Sequence, residues 1–494
     1  PHSIKETRNL LQKIEELRDK EGYIYIHSRK GSGRTGTIVA CMSAQWQENP
    51  KIEQEKEKLR QRFSQMPKSA FRETPDTEEQ SDFITKFIED HIKIHKENKN
   101  QTRDRIRGCL AGGAAGDALG YPVEFMSRKN ILAHYGKMGI QVFETDEKGK
   151  ALVSDDTQMT LFTANGILMG LTRTYMRGIG NSPEKYVDGA YLDWYYTQTG
   201  WKKIYFTNDW HYTWLRDLPE LAHRRAPGNT CLKACESLFK GEKVRNNSKG
   251  CGGIMRVAPM ALLEAGYASR GEKSYSLSEL AKAGAEIARI THQHPLGFLP
   301  AATLSTLLYR LIPLDIEESK ERIRELVEES ISTLKEVYPG AFENEKRILI
   351  GLTRKAVTLS ESAMSDEEAI RQLGEGWTGE EAWAIALYCA LRHIDSTKEA
   401  IIAAVNHDGD SDSTGSITGN IMGCIHGYES IRKEKLFCPP NREFEETLEL
   451  SNIILALADD LFTGCIISEF DPIDTPKKKQ WYERYCHMNP VGLE

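Results

Sequence analysis

The 494-residue sequence predicts a mainly α protein: an all-α bundle over residues 100–494 preceded by a smaller, partial α/β domain over residues 1–99. Three observations predict it. From Arg103 onward, helical periodicity recurs and no series of alternating strands interrupts it. Gly108, Gly112, Gly116 and Gly120 recur every four residues, and Gly415, Gly419, Gly423 and Gly427 do the same. Ahead of the linker-like stretch Lys96-Glu97-Asn98-Lys99-Asn100, the composition differs, with one β-rich run among charged helical segments.

In chain order, residues 4–17 have amphipathic helical spacing, and Tyr23-Ile24-Tyr25-Ile26 reads as a strand. A glycine-rich loop follows, then a helix over 37–47. Residues 51–62 are dense enough in charge to form a solvated helix. Thr74-Pro75-Asp76-Thr77 marks another helix start, whose helix carries Phe83, Ile84, Phe87 and Ile88 on one face. In the larger region, 108–119, 158–171, 278–289, 316–337, 379–391 and 413–428 are predicted helices. Each glycine series leaves one helix face without side chains. Glycine costs a helix about 1 kcal/mol per position relative to alanine, so the pattern predicts a close backbone approach. The two helices are expected to pair at the centre of the bundle and bring distant acidic loops together.

Composition limits the function classes. A net charge of −7 argues against a general nucleic-acid binder. No apolar run reaches the span of a bilayer, and residues 1–20 are too charged for a signal peptide. The ten cysteines are scattered and read as reduced thiols, which predicts a cytoplasmic protein. The first residue is Pro1 rather than Met, as expected of a fragment or a processed product.

Two acid-rich segments are the main candidates for chemistry: Ser154-Asp155-Asp156-Thr157-Gln158-Met159-Thr160 and Asp408-Gly409-Asp410-Ser411-Asp412-Ser413-Thr414. Each places carboxylates and hydroxyls just ahead of an apolar helical run. Helix capping is one reading, since Ser, Asp and Thr are favoured there. The other is a pair of half-sites for hard cations, because clustered carboxylates repel unless a cation stands between them. Oxygen ligands without Cys or His select Mg²⁺, Mn²⁺ or Ca²⁺ over zinc.

Six segments in order carry a resemblance. They are 108–120 with Pro122-Val123-Glu124-Phe125; Ser154 to Thr157; Arg225-Ala226-Pro227-Gly228-Asn229-Thr230; Gly252-Gly253-Ile254-Met255-Arg256-Val257-Ala258-Pro259; Gly376-Trp377-Thr378-Gly379-Glu380-Glu381-Ala382; and Asn406 to Thr414. Together they resemble the ADP-ribosylglycohydrolase family, of the dinitrogenase-reductase-activating type. The resemblance implies an all-α fold, two Mg²⁺ or Mn²⁺ ions, and cleavage of ADP-ribose from a modified protein or an ADP-ribosyl small molecule. By position it implies metal ligation by Ser154, Asp155, Asp156, Asp410, Asp412 and Ser413, with Glu124, Asp155 and Asp412 as the catalytic acids. Family members often carry Thr where Ser154 and Ser413 stand, and the hydroxyl is kept. The branch it most resembles implies arginine-linked ADP-ribose, with serine or phosphate linkages as rivals. Catalysis requires stabilising an oxocarbenium-like ribose, and Glu124 is suited to act as general base or to orient the sugar. Asn247, Ser248, Gly250, Gly252 and Gly253 form a glycine loop suited to the pyrophosphate; a plain turn is its other reading. His292 and His294 fit capping or core roles, and Trp377 and Tyr121 are candidates for stacking on adenine. A protein that retains ADP-ribose and docks phosphorylated partners without turnover is the alternative to an enzyme.

The remaining motif is His27-Ser28-Arg29-Lys30-Gly31-Ser32-Gly33-Arg34-Thr35-Gly36. It contains a dinucleotide-type glycine spacing, but no second strand–helix unit follows. It is more similar to the dual-specificity tyrosine phosphatase signature, with Ser28 where that family has its nucleophilic Cys. The resemblance implies that Ser28, Arg29, Lys30, Gly31, Ser32, Gly33, Arg34 and Thr35 hold a phosphate without hydrolysing it. A serine hydroxyl with no adjacent base is not an activated nucleophile. A natural pseudophosphatase and an engineered trap both fit the sequence.

Overall fold

The computed structural model describes residues 3–21, 24–28, 32–47, 50–66, 69, 73–178, 183–199, 211–470 and 472–486. The chain divides into two compact units, Pro1–Asn100 and Gln101–Glu494.

The smaller unit contains the helices Ile4–Glu21, Gly33–Gln45 and Ile52–Ser64 and the beginning of Glu78–Gly120. Leu11, Ala40, Cys41, Ala44, Leu59, Ile84, Phe87 and Ile88 close its core. Three residues of the predicted face, Ile84, Phe87 and Ile88, are fully buried there, and Phe83 packs against them. The α/β expectation is corrected: among the described residues there is no strand. Tyr23 lies outside them, and 24–26 form no strand among the described residues. A single β-prone run with nothing to pair with cannot make a sheet. The polar stretch at 96–100, expected as a linker, lies at the boundary of the two units and is helical, inside Glu78–Gly120. Lys and Glu tolerate a helix well, and neither Gly nor Pro breaks it there.

The larger unit is helical throughout, with isolated bridges Ala151–Leu448 and Gly250–Thr378. The predicted segments fall within Glu78–Gly120, Asp155–Arg177, Leu277–Arg289, Ile316–Glu336, Gly379–Arg392 and Ser411–His426, with ends differing by a few residues. Sequence-local chemistry sets several starts. Ser276 with Glu279, Asp315 with Glu318, and Ser365 with Glu368 each form a reciprocal capping box. Asp155–Arg177 is buried from Asp155 through Thr172. That explains its weak polar face, since a helix enclosed on all sides has no solvent stripe to define.

The glycine series pair as expected, and they run antiparallel. A Cβ built on Gly108, Gly112 or Gly116 would strike the backbone of Gly423, Gly419 or Gly415, and the reverse holds for each partner. At the far end, a Cβ on Gly120 would strike Ser411 and Asp412. The antiparallel register therefore sets the end of the first helix beside the start of the second.

Candidate functional site

Both acid segments are helix N-termini. Ser154 caps Asp155–Arg177 by accepting from the Asp156 N–H at 3.2 Å, and Asp410 caps Ser411–His426 by accepting from the Ser413 N–H at 3.3 Å. The helix start favours the acids, because its free N–H groups and dipole stabilise negative charge. Capping and a functional site are thus compatible roles for the same residues. The turn before Asp410 needs glycine: Gly409 has φ +127°, and the Asp410 N–H donates to the Glu375 carbonyl at 2.8 Å.

Asp117 holds the first segment and lies within electrostatic reach of Asp412 in the second. It is fully buried on the glycine-striped helix. Its carboxylate accepts from the Ser154 N–H at 2.9 and 3.1 Å, from the Thr157 N–H at 3.0 Å and from the Thr157 hydroxyl at 2.5 Å. The 108–120 motif contains Asp117, yet its role is missed when the motif is read for glycines. Its signal is that it is the single acid on an apolar, glycine-striped stretch. His407 was missed likewise: its Nε2 lies 2.9 Å from the Thr414 hydroxyl and its Nδ1 2.9 Å from the Asp408 carbonyl, bracing the second turn. Asp408 itself turns to the Arg128 N–H at 2.8 Å.

The structure brings Glu124, Asp155, Asp156, Asp410 and Asp412 to one buried region with Asp117, Ser154 and Ser413. Burial, reinforced by its acidic neighbours with Asp412 foremost, pushes the Glu124 carboxyl up to about 10. Burial, then Asp412, raises Asp117 to about 7. Asp155, Asp156 and Asp412 are pushed well above the ordinary range, and Asp410 is raised, in every case chiefly by burial. Two oxygens in this region, Glu124 Oε2 and Asp156 Oδ1, are buried with no hydrogen-bond partner among the described residues. Unpartnered buried oxygens of this kind require protons or a cation. Among the described residues, no three His, Cys, Asp or Glu side chains already stand in ligating positions. The fit to a hard divalent cation therefore rests on the donor chemistry: buried, oxygen-rich and short of positive charge.

The proposed substrate loop lies along one rim. Ser248 shares a hydrogen bond of 3.0 Å with Thr230, while Asn247 is exposed. The loop is held rather than loose. The Cys251 N–H donates to the Trp377 carbonyl at 3.2 Å, and the Gly379 N–H donates to the Lys249 carbonyl at 2.8 Å. Gly250 and Gly252 face the His292 ring, and a Cβ on Gly253 would meet Gly297. Close packing alone accounts for glycine at Gly253. The Gly228 N–H reaches Asp155 Oδ2 at 3.2 Å, so the 225–230 segment also borders the acids. Phe125 and Trp377, both exposed, stack with centroids 6.1 Å apart and 16° between planes. Tyr121 lies half-buried in the turn Tyr121–Val123.

The histidines take the structural roles. His294 Nδ1 accepts from the Leu296 N–H at 3.0 Å as a helix cap. His292 is buried beside Arg256, and burial first, then that charge, lowers its pKa to about 3. A histidine held neutral in this way is not a general acid at physiological pH.

In the smaller unit, the Thr35 hydroxyl donates to the Ser28 hydroxyl at 2.8 Å, and the Thr74 hydroxyl donates to the Ser32 carbonyl at 2.8 Å. Ser32 and Gly33 are buried at the start of Gly33–Gln45, whereas Arg34 is exposed. Arg29, Lys30 and Gly31 lie outside the described residues. A cavity of about 1510 Å³ opens here, lined in part by Ser28, Arg34, Thr35 and Asp76.

The ADP-ribosylglycohydrolase profile matches residues 98–467. The chain belongs to the ADP-ribosylglycohydrolase family. The ADP-ribosylhydrolase ARH3 of Mus musculus is 24% identical over 219 residues, which cover 40% of this chain and 55% of the mouse protein. The human ARH3 is 23% identical over 216 residues, or 40% of this chain and 56% of that protein. An uncharacterized protein of Archaeoglobus fulgidus is 26% identical over 339 residues, or 67% of this chain and 90% of that protein. The chain thus spans about half the length of the ARH3 relatives it matches. A solved structure described as an ADP-ribosylglycohydrolase-related protein complex shares 21% identity and a TM-score of 0.48, covering 74% of this chain and all of that one. The profile does not extend over residues 1–97, where the phosphatase-like resemblance lies. Among the described residues, no helix is long and apolar enough to cross a membrane.

Proposed function

We propose that the larger unit hydrolyses the glycosidic bond joining ADP-ribose to an acceptor, with a divalent cation, Mg²⁺ or Mn²⁺, at the acid cluster. The supporting observation is the convergence of two acid-bearing helix starts near Asp117 and Glu124, leaving Glu124 Oε2 and Asp156 Oδ1 without partners among the described residues. ADP-ribosylhydrolases of the family generally depend on a divalent cation. Here Ser154, Asp155, Asp156, Asp410, Asp412 and Ser413 are the residues to hold two such ions. A bound cation would supply positive charge against ribose hydroxyls and the attacking water.

The chain's own residues do the rest. Asp117 fixes the turn that presents Asp155 and Asp156. Glu124, at the lip of the cluster, orients the ribose or accepts a proton from water as oxocarbenium character develops. The 247–253 loop offers backbone N–H groups to the pyrophosphate, and the exposed Trp377 ring offers an apolar face to adenine. An acidic pocket also suits a guanidinium leaving group, so arginine is the proposed acceptor. Initial rates on arginine-, serine- and phosphate-linked ADP-ribose, at one pH and with one metal, test this. A tenfold or greater lead for either rival linkage overturns the arginine assignment and leaves the hydrolase standing. Binding of ADP-ribose with no turnover of any linkage favours the binding-protein alternative.

For the smaller unit we propose phosphate binding without hydrolysis at Ser28, Ser32, Gly33, Arg34 and Thr35. The observation favouring it is the buried Ser32 hydroxyl, which has no partner among the described residues at a helix start. Hydrolysis of an aryl phosphate that disappears in Arg34→Ala would show that Ser28 is a working nucleophile.

A further inference from the structure

Cys251 occupies a position that the hydrolase reading leaves unused. It is half-buried at the start of the turn Cys251–Arg256, and its Sγ lies 2.6 Å from Asp410 Oδ2. Ser413 and Asp156 are its other polar neighbours. The thiol therefore stands among the oxygens assigned to the cation, beside a carboxylate that also caps Ser411–His426. Six of the other cysteines, Cys41, Cys109, Cys231, Cys235, Cys389 and Cys424, are buried in helices.

A second observation points to a ligand. Asp156 Oδ1, on a residue only 3% exposed, has no hydrogen-bond partner among the described residues, and Glu124 Oε2, on a residue 8% exposed, has none either. Near Asp410 the cluster therefore offers both unsatisfied oxygens and a sulfur. Sulfur changes the preference of such a site, since thiolates select softer metals and carboxylates harder ones.

We propose that Cys251 supplies a sulfur donor to the acid cluster, so that thiophilic divalent cations such as cadmium or cobalt bind there through Cys251 Sγ, Asp410 and Asp156. On binding, the Sγ–H proton leaves to solvent and the sulfur lone pair enters the metal's coordination shell. Because those side chains do not already form a ligating triad, binding draws them together by side-chain rotation. Such a cation competes with Mg²⁺ or Mn²⁺ for Asp410. This inference rests on the acid cluster being a cation site.

The test is spectroscopic. The full chain, freed of metal by chelation, is titrated with Cd²⁺ or Co²⁺ while the sulfur-to-metal charge-transfer absorption is followed in the ultraviolet. A saturable band is expected in the parent chain, absent from Cys251→Ser, with cation affinity lowered about tenfold or more in that variant. Asp156→Asn should keep the band but need more cation to reach it, which provides a check if Cys251→Ser folds poorly. A band that survives in folded Cys251→Ser comes from another thiol and overturns the proposal. Calorimetric binding that is lost in Asp410→Asn, with no charge-transfer band in the parent, also overturns it and leaves an all-oxygen site. Absence of any divalent-cation binding overturns both this proposal and the cation reading of the cluster.

Discussion

Three helices of this protein begin on hydroxyl-bearing segments that resemble known sites, and their surroundings differ. Gly33–Gln45 starts at Ser32 in the smaller unit, where the exposed Arg34 and the Ser28–Thr35 hydroxyl pair face an open cavity. Asp155–Arg177 and Ser411–His426 start inside the larger unit, with Asp117 tying the first of them to the end of Glu78–Gly120. All three starts offer free N–H groups and a favourable dipole. Convergence is what separates them. Six acids brought together in the larger unit share burial and mutual repulsion, and that environment calls for positive charge. A helix start alone provides only weak attraction for an anion.

The largest expected effect tests whether convergence creates the activity. Asp410→Asn or Asp155→Asn should lower hydrolysis of ADP-ribosylated substrate by about 10²-fold or more, with the thermal transition of the larger unit retained. Excess chelator should abolish turnover, and Mg²⁺ or Mn²⁺ should restore it. Full activity in chelator would break the comparison, because the acids would then be caps and nothing more.

The next test concerns the glycine pair that sets the convergence. Gly419→Ala places a methyl group against the Gly112 backbone, which cannot rotate away. Overpacking of this kind should destabilise the larger unit by about 2–3 kcal/mol or more. Gly33→Ala provides the contrast, because its nearest neighbours are the ends of the Asp76 and Gln80 side chains. It should cost under about 1 kcal/mol, since alanine also favours a helix. Similar midpoints for both variants in denaturant titrations would show that the backbone approach is not what holds the larger unit.

A smaller effect separates general burial of an acid from the cluster. Glu264 is buried away from the cluster, accepts from the Tyr275 N–H at 2.6 Å, and is raised to about 7, chiefly by burial. The native state therefore holds a proton that the unfolded chain releases near 4.5. This contribution is fully present below pH 4.5 and is lost as pH rises through about 7. Between pH 5 and 8 the parent should lose about 2 kcal/mol that Glu264→Gln retains. Parallel stability–pH curves for the two chains would remove Glu264 as the source.

The smallest effect lies in the smaller unit. Phosphate or sulfate should bind weakly at the Ser28 loop, and Arg34→Ala should weaken it by about tenfold, the worth of one charge-assisted hydrogen bond. No change on replacing Arg34 would leave that loop as an ordinary helix start.

The sequence by itself determined the helical character of the larger unit, the glycine pairing and the acid-bearing helix starts. Those signals are local: capping residues before apolar runs, a four-residue glycine period, and acids at helix starts, all governed by neighbours within a turn or two. Tertiary structure decided what depends on distant partners. The run at 24–26 is not a strand, because no described segment pairs with it. Asp117 became the anchor of the first acid segment, and Cys251 became a neighbour of Asp410, only when antiparallel packing and the 247–256 turn carried them there. Spacing along the chain does not encode such meetings. They follow from which backbones can approach, and glycine's missing side chain is the physical reason these two can.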